Sequence, residues 1–132
     1  MAILGDLFIR FNKHLETTDR HKDNSLKTHY YKATFDKLFQ SVEELLRQDA
    51  DCRITTISKE RGEIAVEMNK PFPCFVIVTI VSVRAMETAV DFTISSDKFS
   101  PVGIYPTLRK RILSLYERID QLHTLVKPIK NM

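Results

Sequence analysis

Glycine is scarce in this chain of 132 residues: only Gly5, Gly62 and Gly103 occur. No two of them have the spacing of a phosphate-cradling loop or a dinucleotide fingerprint, and both motifs need their glycines for tight turns and close backbone approach. Cysteine is scarcer still, with Cys52 and Cys74 far apart. That excludes a disulfide framework and a clustered thiolate zinc site. A G-x-S-x-G elbow and an H-E-x-x-H pair are both missing. The longest apolar run, FVIVTIVSV, is too short to span a bilayer. The N-terminal MAILGDLFIRFNKHL carries charges at Asp6, Arg10 and Lys13, which argue against a signal peptide. These absences point to a cytoplasmic protein with no cofactor and no membrane span.

What is present is ordinary for a folded domain. Apolar residues make up 43% and charged residues 28%, which excludes a wholly disordered chain. The net charge of +3 is too small to mark a nucleic-acid binder by itself. The excess sits at the end: residues 104–132 hold Arg109, Lys110, Arg111, Arg118, Lys127 and Lys130 against Glu117 and Asp120.

The hydrophobic periods give an element order of α-β-α-β-β-β-β-α. Ile3, Leu4, Leu7, Phe8, Phe11 and Leu15 recur at helical spacing and predict an amphipathic helix over 2–16. The polar stretch ETTDRHKDNS then reads as a linker. Residues 28–33 have strand composition. Thr34 is a fitting N-cap for a helix over 35–48, with Phe35, Leu38, Phe39, Val42, Leu45 and Leu46 on its buried face. Residues 53–59 and 63–69 read as a hairpin turning at Gly62.

The run Phe72 to Val83 is apolar on both faces, with Val76, Val78 and Ile80 pointing one way and Phe75, Ile77, Val81 and Val83 the other. Such a strand is expected to be covered on both sides. Ala89 to Ser96 alternates, and 97–106 is a proline- and glycine-bearing loop. A final helix spans about 107–126, with Leu108, Ile112, Leu115, Ile119, Leu122 and Val126 on one stripe. The expected fold is therefore α+β: an antiparallel four- to five-stranded sheet with two helices on one face and an N-terminal amphipathic helix. The expected division is 1–18 for that helix, 19–27 for the linker and 28–127 for the α+β domain.

Four candidate chemistries follow. Arg109-Lys110-Arg111 opens the last helix, where the dipole is already positive, so with Lys98 it forms a candidate anion-binding set; the plainer reading is a solvated charged face. Tyr30, Tyr31, Tyr105 and Tyr116 could add stacking for nucleic acid, although no recognition signature accompanies them. His14 and His21, with Asp19 or Asp23, could hold a metal ion; solvated histidines are the plainer reading, and no metal site is assigned. His29 and Cys74 could form a nucleophile pair in an enzyme, against Cys74 as core packing.

The N-terminal stripe of Leu4, Leu7, Phe8 and Phe11 is a candidate interaction surface. It would pack in cis on the sheet or dock on a second copy. Residues 28–126, with a leading β-α, a four-strand meander and a closing helix after a Pro/Gly loop, resemble small uncharacterised cytosolic proteins of Gram-positive bacteria. The resemblance implies a bacterial cytoplasmic protein and carries no activity or site residues. The expected function is a non-enzymatic binding or protein-interaction module, a homodimer or partner of another protein. The alternatives are anion or nucleic-acid binding through the start of the last helix, and an unrecognised enzyme.

Overall fold

The computed structural model describes residues 14–70, 72–96 and 103–126. Six strands and two helices follow one another in α+β order. The strands are β1 (His14–Glu16), β2 (His29–Tyr31), β3 (Cys52–Ser58), β4 (Glu63–Met68), β5 (Cys74–Arg84) and β6 (Glu87–Ser95). The helices are α1 (Phe35–Arg47) and α2 (Tyr105–Leu122), with a short 3-10 turn at Asn24–Leu26. All strand pairings are antiparallel, in the order β1-β6-β5-β4-β3, with β2 also on β6. The four-strand meander β3 to β6 is the one expected from the short connections.

The sheet has six strands where four to five were expected. β1 pairs with the Thr93–Ser95 end of β6, and β2 pairs with its Thr88–Val90 end. Two three-residue strands thus share one edge. The chain leaves that edge at Thr17 and returns at Thr28, whose amide donates to the Thr18 carbonyl at 3.2 Å.

The predicted helix over 2–16 needs correction at its end. His14 to Glu16 form a strand in which Leu15 is buried opposite Ile94 and its two neighbours are exposed. Leu15 fits the helical stripe by spacing, but its actual period is two. The rest of that helix, including Leu4, Leu7, Phe8 and Phe11, lies outside the described residues. The polar stretch after it is not a loose tether. Leu26 is fully buried, Asp23 accepts from the Ser25 amide at 3.0 Å, and Arg109 of α2 grips Asp23 at 2.7 Å. One apolar residue and one ion pair suffice to pin a segment whose composition reads as linker.

One face of the sheet carries the core. Ile64, Val66 and Met68 of β4 share it with Val76, Val78 and Ile80 of β5 and Val90, Phe92 and Ile94 of β6. Onto it pack Leu38, Phe39, Val42 and Leu46 of α1, and Leu108, Ile112, Leu115, Tyr116 and Ile119 of α2. Each fully buried side chain of this kind contributes about 1.5–3 kcal/mol. Thr34 caps α1 by accepting from the Lys37 amide at 3.2 Å.

α2 stops at Leu122, and the residues after it straighten. Lys32 donates to the Thr124 carbonyl at 2.8 Å, and Val126 donates to the Tyr30 carbonyl at 2.7 Å, so the chain runs along the free side of β2. The spacing that suggested a helix through Val126 fails because Leu122 is exposed and these backbone pairings replace the helical ones.

Gly62 sets the level at which β4 begins. It adopts φ +69, and its carbonyl accepts from the Ile80 amide at 2.7 Å. A Cβ there would stand 2.2 Å from the Ile80 carbonyl oxygen. A Gly62→Ala substitution therefore adds both left-handed strain and a backbone clash. It should cost more than about 1 kcal/mol in equilibrium denaturation; an unchanged midpoint would contradict this placement.

Candidate interaction surface

The opposite face of the sheet carries no helix among the described residues. Side chains alternate across each strand, so the residues between the core positions all point there. On β5 these are Phe75, Ile77, Thr79, Val81 and Val83; on β4, Glu63, Ala65 and Glu67; on β6, Glu87, Ala89, Asp91, Thr93 and Ser95. The apolar ones make a stripe along the central strand. Phe75 is 39% exposed, Val81 50% and Val83 42%, whereas Val76, Val78 and Ile80 on the same strand are at most 2% exposed. Among the described residues, the strand that reads as buried on both faces is sealed on one only.

β5 also outruns its neighbour. β4 pairs with it only up to Thr79, so the hairpin from Val81 to Met86 projects with β6 as its one strand neighbour. Met86 at its tip is 59% exposed. At the other end, Glu67, Asn69, Phe75 and Ser95 line an open groove of about 500 Å³.

Carboxylates flank the stripe. Glu63 and Glu67 lie on one side, Asp91 and Glu87 on the other, and Glu16 lies beyond on β1. Most of them have partners: Arg53 pairs with Glu67, Arg84 with Glu87 at 3.3 Å, His14 lies 3.3 Å from Glu16, and the Thr17 and Thr28 hydroxyls donate to Asp91. The surface is therefore apolar along its middle, with a margin of carboxylates of which Glu16, Glu67 and Glu87 face a basic side chain.

A second polar assembly closes the β6 edge and was not apparent from sequence. Asp120 of α2 accepts from the Tyr31 hydroxyl at 2.6 Å and lies 3.0 Å from His29 Nδ1. The His29 ring stacks on Tyr116 with centroids 3.5 Å apart. Tyr116 in turn donates to the Val90 carbonyl at 2.7 Å. Thr17 and Thr28, at the two ends of the excursion from the edge, both donate to Asp91 Oδ1, at 2.6 and 2.7 Å. Burial pushes the Asp91 carboxyl up, and the two hydroxyls oppose that shift. Burial likewise raises Tyr31 and Tyr116. Every group in this assembly has a partner inside it. It clamps β2 and the excursion to α2.

The residues singled out from sequence are dispersed. Arg109 is committed to Asp23. Lys110 is exposed, and Arg111 is half-buried with its Nε lacking a hydrogen-bond partner. Lys98 lies outside the described residues. His29 sits opposite Val90, whose β5 partner Ile80 is six residues from Cys74, roughly 20 Å along the strand. Burial also raises the Cys74 thiol, the opposite of activation. The His29–Cys74 nucleophile pair is thereby ruled out. His14 lies 3.3 Å from Glu16, and His21 accepts from the Asp23 amide. No metal-ligating group of three forms among the described residues.

No protein-family model matches the chain, and no curated protein matches it. No helix among the described residues is long and apolar enough to cross a membrane.

The clamp makes stability depend on pH. Burial holds His29 below its ordinary 6.5, with Asp120 pulling the other way. Burial and Lys37 hold His123 below the same value. The unfolded chain therefore binds more protons than the folded one as pH falls through 6.5, and stability present above that pH is lost below it. The thermal midpoint should drop between about pH 7.5 and about pH 5.5, and drop less in a His29→Gln variant. Parallel profiles for the two proteins would show that His29 is not the titrating group.

Proposed function

We propose that the chain is a non-enzymatic protein-interaction module whose binding surface is the uncovered face of its sheet. The observation that carries this is the contrast within β5, where one row of side chains is sealed under two helices and the other is open to solvent. An apolar stripe of this kind on a folded domain marks a contact surface.

The margins define the partner. A stripe one strand wide suits the apolar face of an amphipathic helix, and the carboxylate rows favour basic residues on that helix's flanks. A second copy meeting the same face would set these rows against each other. The reading therefore assigns the face to a basic amphipathic segment.

A synthetic Leu/Lys amphipathic peptide should bind the full chain, and binding should weaken several-fold between ~0.05 and ~0.5 M salt. A Val81→Asp variant should lose it. A Leu/Glu peptide that binds equally well, or a Val81→Asp variant that binds unchanged, would sink the reading. Sedimentation reads the competing outcome: a mass of twice 15.4 kDa that Val81→Asp abolishes would put a second copy on this face.

A further inference from the structure

We infer that Thr124–Val126 form a strap over the outer edge of β2, and that His123 is its latch, closed while the ring is neutral and released when the ring is charged. This local opening stands apart from whatever binds the uncovered face.

The strap is held by little backbone. α2 ends at Leu122, and His123 is already extended, with φ -138 and ψ 152. Among the described residues, two backbone hydrogen bonds then tie the strap to β2 and the residue after it. The Lys32 amide donates to the Thr124 carbonyl at 2.8 Å, and the Val126 amide donates to the Tyr30 carbonyl at 2.7 Å. An edge segment with so few bonds belongs to the part of a fold that opens first.

Side chains supply the rest. Residues two apart in an extended segment share a side, so His123 and Leu125 stand together over Tyr31. Leu125 bridges to Tyr31 and packs against the core. The His123 ring meets the Tyr31 ring edge-on, with centroids 6.3 Å apart. Its Nε2 lies 2.9 Å from the Ser41 hydroxyl, which fastens the root of the strap to α1. One ring thus joins α1, β2 and the end of α2 where the strap departs.

The surroundings of that ring suit its neutral form. Ser41 and Tyr31 bring no charge to it, and Lys37 of α1 is the charged side chain that bears on it. Asp120, one turn back on α2, is taken by the Tyr31 hydroxyl and by His29. Burial and Lys37 together hold His123 below its ordinary 6.5. The ring therefore binds a proton better once the strap is off. By linkage the hold is complete above pH 6.5 and is lost as the pH falls below it. Opening bares the Tyr30 carbonyl, the Lys32 amide and the Tyr31 ring as an unpaired strand edge. Tyr30 stands opposite Ala89, and Ala89 opposite Val81, so that edge borders the uncovered face.

Amide hydrogen exchange of the full chain, read by NMR and corrected for the pH dependence of free amides, tests this. Lys32 and Val126 should show less protection than Val78, which marks opening of the strap alone. Their protection should fall several-fold from about pH 7.5 to about pH 5.5, and by less in a Lys37→Gln variant. It should still fall in His29→Gln and stay level in His123→Gln, where the new amide keeps a polar group for Ser41. A fall in His123→Gln equal to that of the parent chain would overturn the latch, and so would level protection in the parent chain. Lys32 and Val126 amides that match Val78 at every pH would show that the strap opens only with the whole fold, and would overturn the inference as well.

Discussion

Both helices pack on the same side of the sheet, and this placement governs the rest of the molecule. The meander β3 to β6 needs a covered face to hold together. α1 and α2 both pack onto the face that carries Val76, Val78, Ile80, Phe92 and Ile94. Nothing among the described residues is then left to cover the other. Among the described residues the apolar row from Phe75 to Val83 stays at the surface because both helices lie on the other side, and the fold sets carboxylates along its margins.

The edge of β6 is where the fold spends its buried polar groups. Two short strands share that edge, and neither has enough backbone pairing to hold it alone. Asp120, His29, Tyr31 and Tyr116 tie β2 to α2, while Asp91 collects the hydroxyls of Thr17 and Thr28 at the ends of the excursion. Arg109 reaches out from α2 to hold the excursion itself through Asp23. The basic start of α2, an attractive anion site on paper, therefore serves partly as structure. Because the polar groups in this assembly satisfy one another, their shifted titration reflects burial and clamping more than chemistry aimed at a ligand.

Much of the architecture was legible in the sequence where periodicity was strong. α1 with its Thr34 cap, the turn at Gly62 and the alternation along β4 and β6 all follow from local signals. What was not legible depends on distant partners. Leu15 satisfies a helical stripe by spacing, and only its pairing with Ile94 makes it a strand residue. The polar stretch before Thr28 looks like a tether until Leu26 is seen in the core and Asp23 on Arg109. For the surface, the apolar second row of β5 was plain in the sequence, but not that it lies open. Composition records that a residue is apolar; which face the helices occupy is a property of the assembled sheet. The acidic margins come from three separate strands and take shape only through register.

The account stands on β5 having one sealed and one accessible face, and methyl NMR of the full chain with a soluble paramagnet reads this directly. Methyl signals of Val81 and Val83 should be strongly attenuated, while those of Val76, Val78 and Ile80 on the same strand stay nearly unaffected. If Val81 and Val83 are as protected as Val78 and Ile80, the uncovered face does not exist in solution and the account fails.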